Sequence, residues 1–181
     1  MKALPIPSVA VPLLQASKVS SKNWSSIGNI ALLNEPLLGV IASRECPGSV
    51  LLETIERVPQ WIKENRVILS GFHSPLEQQV MRSFLRRKGK AIKLLARGLT
   101  DYHIPTEEQE AMDEDRLLIL TAFPPEARHT TRATALERNR LILKLATEIV
   151  VPHITEGSPL AMLLEEQCAW NKVHARPSMH T

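Results

Sequence analysis

The chain has 181 residues, 44% of them hydrophobic and 23% charged, with a formal net charge of +3 and a pI near 9.0. That length fits one domain with a sizeable core, and the apolar content excludes an intrinsically disordered chain. Two distant cysteines, Cys46 and Cys168, exclude a disulfide scaffold, and no apolar run approaches the ~18 residues of a membrane-spanning helix.

Residues 1–16 are apolar behind Lys2, but Pro5, Pro7 and Pro12 interrupt any signal-peptide helix. The expected organisation is a proline-rich and polar lead-in over 1–26, a single domain over 27–171 and a tail over 172–181. The stretch 17–29 reads as a polar connector. A cytoplasmic protein with reduced thiols and no membrane association follows as the default.

Five short apolar runs succeed one another: 37–42 (LLGVIA), 66–70 (RVILS), 91–96 (AIKLLA), 116–123 (RLLILTAF) and 149–153 (IVVPH). They are nearly continuous rather than alternating, the pattern of strands covered on both faces. Helical patterns separate them. In 49–63, Leu51, Ile55, Val58 and Ile62 form one stripe, and Pro59 is expected to kink or shorten the helix. Segment 74–88 opens Ser-Pro-Leu-Glu, close to a capping box with proline at the first helical position, and Gly89 reads as its C-cap glycine. An acidic piece at 106–115 precedes the fourth run, and 131–147 and 158–171 supply the last two helices. The alternation implies an α/β fold, a doubly wound and mainly parallel five-stranded sheet with helices on both faces.

Ligands of such sheets bind beyond the carboxyl ends of the strands, where the strand order reverses. With the common order 3-2-1-4-5, the crevice falls between the first and fourth strands. The loops 43–48 (SRECPG), 123–131 (FPPEARHTT) and 154–158 (ITEGS) each precede a helix, so backbone N–H groups and helix dipoles converge there and favour an anion. Neither a dinucleotide-binding glycine fingerprint nor a Walker A lysine motif is present.

Charge is segregated along the chain. Seven bases and no acid lie between Arg82 and Arg97, an acidic stretch follows at 107–115, and Arg128, Arg132, Arg138, Arg140 and Lys144 form a second basic group. Helical spacing puts Arg138 on the stripe of Ala135, Ile142 and Leu145, with Asn139 beside it, in the arc that meets the sheet. A charge buried there needs a partner: an internal one, or a phosphate in the crevice held by the guanidinium fork.

The ordered set GVIASR at 39–44, Ser70-Gly71, Phe123-Pro124, Arg138-Asn139-Arg140 and Gly157-Ser158 resembles the Rossmann-like domain of the DNA-processing protein A (DprA/Smf) family, related to the LOG phosphoribohydrolases. The similarity runs over roughly 27–166 and includes the Ile27-Gly28-Asn29-Ile30 approach to the first strand. The family's Gly-Ser-Arg is matched in part by Ala42-Ser43-Arg44. Its Ser-Gly-x-Ala-x-Gly-Ile-Asp loop becomes Ser70-Gly71-Phe72-His73-Ser74-Pro75-Leu76-Glu77, a tighter helix start. The resemblance implies a cytoplasmic nucleotide- or single-stranded-DNA-binding protein, a homodimer, acting in DNA processing or uptake, with no cofactor. It places Arg44, Ser70, Gly71, Arg138, Asn139, Arg140, Gly157 and Ser158 around a phosphate-binding pocket, to which the loops themselves add Ser43, for its accessible backbone amide, and Phe72. No segment matches the winged-helix domain that some members carry, so a minimal nucleotide-sensing domain is an expectation too.

Two other functions compete with binding. A phosphoribohydrolase-like enzyme requires a Pro-Gly-Gly-x-Gly-Thr-x-x-Glu run that Thr155–Leu160 does not supply, leaving Glu77 as a surrogate acid or a helix-capping residue. An interaction protein with a vestigial pocket is the third reading. Seven aromatic residues give little stacking platform, with Phe72 and Phe123 the candidates in the loops. His73, His103, His129 and His153 lack ligand spacing for a metal, Cys46 reads as an ordinary thiol, and Trp61 and Trp170 read as helix-packing residues.

Overall fold

The computed structural model describes residues 24–166 and 173–174. Residues 1–23, the last part of the fifth expected helix with Cys168 and Trp170, and the tail beyond 174 lie outside them. The strands are β1 (Ser25–Gly28), β2 (Leu37–Val40), β3 (Val67–Ser70), β4 (Lys90–Leu95), β5 (Leu117–Thr121), β6 (Glu148–Val150) and β7 (Val173–His174). The helices are α1 (Gly48–Lys63), α2 (Pro75–Arg86), α3 (Thr106–Asp113), α4 (Arg132–Leu145) and α5 (Pro159–Glu166). The five expected strands are β2 to β6. A further strand pairs at each edge, so among the described residues the sheet has seven strands in the order β1-β5-β4-β3-β2-β6-β7. The stretch expected as a polar connector contributes β1, antiparallel to β5 with Ser25 opposite Thr121, and every other pairing is parallel. Polar composition hid it: an edge strand need bury only one face.

The strand order corrects the assumed 3-2-1-4-5. From β2 the chain steps outward through β3 and β4 to β5, then returns past β2 to form β6. The reversal therefore lies between β2 and β6, the first and fifth of the expected strands. A right-handed crossover at each parallel step puts α1, α2 and α3 on one face, and the return carries α4 and α5 across the other. The core splits accordingly. Leu37, Ile41, Val67, Leu69, Ile92, Leu94, Leu118 and Leu120 pack under α4 and α5, while Leu38, Val40, Ile68, Ala91, Leu95, Leu117 and Ile119 pack under α1 to α3. Alternate residues of one strand thus serve opposite faces, and both are apolar, which explains the continuous hydrophobic runs.

Local signals act largely as read. Ser74 Oγ accepts the N–H of Glu77 at 3.2 Å and the Glu77 carboxylate accepts the N–H of Ser74, a complete capping box at the start of α2. α1 runs through Pro59 to Lys63 without ending there, forgoing a hydrogen bond inside the helix. The termination of α2 differs from expectation. Lys88, not Gly89, adopts the left-handed conformation (φ +60°), while the N–H of Gly89 donates to Phe84 O at 2.8 Å and that of Lys88 to Leu85 O at 3.1 Å. This is a Schellman motif with lysine in the glycine position. Gly89 is needed instead for space, because a Cβ there would overlap the Phe84 ring. Asn65 and Asp115 end α1 and α3 in the same way, at φ +53° and +57°.

The charge blocks cancel in space. The acidic helix α3 and its following turn lie against the first basic block, pairing Lys93 with Glu108 at 2.5 Å, Lys88 with Glu114 at 2.6 Å and Arg86 with Glu107 at 3.7 Å. Lys90 pairs with Glu35 at 2.8 Å. Much of the positive charge between Arg82 and Arg97 is therefore neutralised within the fold.

Candidate functional site

Three loops meet beyond the carboxyl end of β2 and enclose a crevice of about 720 Å³. The first, after β2, brings Ser43, Arg44 and Glu45; the second, ahead of α4, brings Thr130, Thr131 and Arg132; the third, after β6, brings Thr155 and Ser158. These are the three loops singled out in the sequence, converging for a different topological reason. α4 crosses the sheet from β5 to β6, and this diagonal path carries its N-terminus to the β2 end. Gly39 helps by leaving room on β2 for Ala146 and Ile142 at the far end of the helix.

Hydrogen bonds fix the β2 and β6 loops to each other and cap α4 and α5. Ser43 donates its N–H to His153 O at 3.0 Å, and its Oγ accepts the N–H of Thr155 at 2.9 Å, joining the β2 and β6 loops at the point of reversal. Thr131 Oγ1 accepts the N–H of Thr134 at 3.1 Å, and Thr134 Oγ1 accepts that of Thr131 at 2.9 Å. Ser158 Oγ accepts the N–H of Ala161 at 3.2 Å at the start of α5. Two helix N-termini therefore open on the crevice, and among the described residues the amides of Arg132 and Ala133 have no partner within the protein. Partial positive charge from both helices adds to that of Arg44 and Arg132. Neither arginine has an ion-pair partner among the described residues, although the Glu45 carboxylate shares the rim. Arg44 Nη2 lies 3.3 Å from His73 Nε2, within hydrogen-bonding distance. An exposed, unpaired guanidinium pair beside open helix N-termini suits a phosphate.

The residues singled out in the sequence fall into four groups. Ser43, Arg44, Asn139 and Ser158 line the crevice. Gly157 forms the turn before Ser158 at φ +67° and faces open space. Ser70, Gly71 and Arg138 lie behind the crevice wall and are buried. Phe72 and Arg140 point elsewhere. Phe72 turns into the core under α2 and lines a separate pocket near Lys93, because its backbone takes φ +49° after Gly71. Arg140 pairs with Glu137 and Glu166 at 3.4 Å each, outside the crevice. Arg132 was visible in the sequence only as part of a basic group. Its position just after the N-cap Thr131 is the signal that places it.

Arg138 is only 6% exposed. Its Nε and Nη2 donate to Asn139 Oδ1 at 3.1 and 3.0 Å, and its guanidinium packs so closely on Gly71 that a Cβ there would overlap it. Burial lowers its pKa, and the nearby Glu77 carboxylate opposes that shift. Glu77 is itself buried. One oxygen accepts the N–H of Ala42 at 3.0 Å and the other accepts that of His73 at 2.9 Å, besides capping Ser74. Glu77 thus ties the ends of β2 and β3 to the start of α2, with both oxygens occupied.

The family model for DNA recombination-mediator protein A matches residues 13–161. The chain belongs to this family. The match to DNA recombination-mediator protein A spans all three crevice loops. A curated relative, DNA processing protein DprA of Streptococcus pneumoniae (strain ATCC BAA-255 / R6), is 27% identical over 126 residues, which are 68% of this chain and 44% of the relative. The X-ray structure of DprA from Streptococcus pneumoniae superposes with a TM-score of 0.73 at 22% identity, covering 98% of this chain and 63% of that one. DNA processing protein A from Helicobacter pylori, a structure described for its single-stranded DNA binding mode, gives 0.70 at 21%, covering 99% and 83%. The molybdenum cofactor binding protein of Rippkaea orientalis shares the fold at a TM-score of 0.51 and 14% identity, covering 79% and 91%. The chain thus spans less than two thirds of both pneumococcal proteins. Among the described residues no helix is long and apolar enough to cross a membrane.

Proposed function

We propose that this chain binds single-stranded DNA, as part of DNA processing, by holding its phosphates in the crevice between the β2, β6 and α4 loops. The observation that carries this reading is the pair Arg44 and Arg132, exposed and without ion-pair partners among the described residues, beside two helix N-termini in a cavity of about 720 Å³. The relative from Helicobacter pylori, described for binding single-stranded DNA, supports it. No Phe, Tyr or Trp is among the described residues lining the crevice. Recognition then rests on the backbone, with little base stacking, and binding should be indifferent to sequence and strongly weakened by salt.

A free nucleotide offers the same phosphate chemistry and fits the volume, so the test must separate the two. Fluorescence anisotropy with labelled single-stranded oligonucleotides, paired with mass spectrometry of small molecules released from the purified protein, does so. The proposal expects oligonucleotide binding, lost in Arg44→Ala/Arg132→Ala. Retention of a single nucleotide with no oligonucleotide binding would favour the sensor. A homodimer belongs to the same reading and is checked by sedimentation.

A further inference from the structure

We infer that Arg138 is a positioning residue, whose guanidinium holds Asn139 Oδ1 so that the Asn139 Nδ2 amide donates to a DNA oxygen in the crevice. The inference rests on the proposed function but assigns Arg138 a role opposite to the phosphate ligand its sequence position invites. Arg138 is 6% exposed and does not line the crevice, whereas Asn139 does. A guanidinium has only donors, so the atom it faces at 3.0–3.1 Å must be the amide oxygen. The Asn139 flip is thereby fixed by chemistry. Nδ2 has no hydrogen-bond partner among the described residues and is not among the buried side-chain atoms left unpaired, so it keeps access to solvent.

Gly71 and Glu77 hold the arginine in turn. The absence of a Cβ at Gly71 makes room for the guanidinium, and Glu77 supplies the nearby negative charge. A lysine at position 138 would keep the charge but lose the fork that engages Oδ1 from two nitrogens. Aspartate at position 139 would pair with Arg138 while presenting an acceptor, not a donor, to the DNA oxygen. The ligand chemistry required at this point is an oxygen acceptor, supplied by the phosphodiester or by a base carbonyl.

The test is a salt series of anisotropy titrations with labelled oligothymidylate on the wild type, Arg138→Lys, Asn139→Ala, Asn139→Asp and the double variant Arg138→Lys/Asn139→Ala. The inference expects each of Arg138→Lys and Asn139→Ala to weaken binding about three- to tenfold, the worth of one hydrogen bond. It expects Arg138→Lys to add little in the Asn139→Ala background, Asn139→Asp to be weakest, and the salt slope of Arg138→Lys to match the wild type. Additive losses, or an Asn139→Ala affinity equal to wild type, would overturn it. Because lysine preserves the charge, Arg138→Gln provides the complementary arm: a slope flatter by about 0.7 would mark Arg138 as a direct phosphate ligand and also overturn it. Thermal melts check folding, and the Asn139 variants decide the matter if neither Arg138 variant folds. In the DNA-free protein, the Arg138 Nε–H proton should exchange slowly in wild type and quickly in Asn139→Ala. Equal exchange would refute the Arg138–Asn139 lock whether or not DNA binds, while absent binding by wild type with the exchange difference intact would refute only the proposed function and the DNA contact built on it.

Discussion

The Glu77 carboxylate accepts the main-chain N–H of Ala42 across 35 residues of sequence, at 3.0 Å. It joins the loop that carries Arg44 to the helix start that carries His73, so one buried side chain sets the spacing of two loops at the crevice. Replacing Glu77 by alanine is expected to cost about 2–3 kcal/mol, because backbone donors lose a charged acceptor inside the protein. Guanidinium unfolding measures it. Glu77→Gln, which keeps one acceptor oxygen, should recover part of the loss, and a change below about 0.5 kcal/mol for Glu77→Ala would contradict the assigned role.

Gly71 is expected to resist any side chain. A Cβ at this position meets the Arg138 guanidinium, which is pinned by Asn139 and cannot swing into solvent. Gly71→Ala should destabilise the protein by about 1–3 kcal/mol as an overpacked substitution. It should also weaken DNA binding by displacing Asn139, as read by melting and anisotropy on the same sample.

Tyr102 is the chain's single tyrosine, so its titration can be read alone. Its hydroxyl donates to Glu108 Oε2 at 3.1 Å, and burial first, then the Glu108 charge, push its pKa well above the ordinary value, against a smaller opposing effect of Arg97. The folded state thus holds the proton more tightly than the unfolded state. This contribution to stability is complete below the unfolded pKa of about 10 and is lost as pH rises through the folded value. The native protein at about pH 11 should show little tyrosinate absorbance, whereas the urea-unfolded chain should show it in full. Half-ionisation of the native protein near the unfolded value would contradict the Tyr102–Glu108 contact.

Arg140 tests the difference between sequence motif and geometry. It is one of the two arginines in Arg138-Asn139-Arg140, yet it pairs with Glu137 and Glu166 away from the crevice. Arg140→Ala should change oligonucleotide affinity by less than about twofold and leave the salt slope unaltered. A flatter slope would place a phosphate on this face of α4 instead.

Much of this was legible from local signals. Continuous apolar runs gave the five central strands, and the Ser74–Glu77 box gave the start of α2, since both depend on neighbours in sequence. The three crevice loops were legible because each follows a strand and precedes a helix, even though the strand order assumed for them was not the one observed. What the sequence concealed was long-range. The strand order depends on where α4 lands, which no local pattern encodes, and β1 hid in a polar stretch because it pairs at an edge. Phe72 read as a loop aromatic, but its left-handed backbone turns the ring into the core. Arg138 was placed correctly on the sheet-facing arc. Whether it reaches a phosphate or Asn139 depends on a side-chain contact that spacing alone does not determine. The basic run from Arg82 is segregated from acidic residues in one dimension only, because Glu107, Glu108 and Glu114 fold against it.

The most direct test of the central claim is the salt dependence of single-stranded DNA binding in wild type and in Arg44→Ala/Arg132→Ala. If these two arginines hold phosphates in the crevice, log affinity should fall linearly with log salt, and each alanine should flatten the slope by about 0.7. The double variant is expected to lose most of its affinity while melting like wild type, since neither side chain has an ion-pair partner among the described residues. Undiminished affinity with an unchanged slope in the double variant would contradict the claim that DNA binds in this crevice.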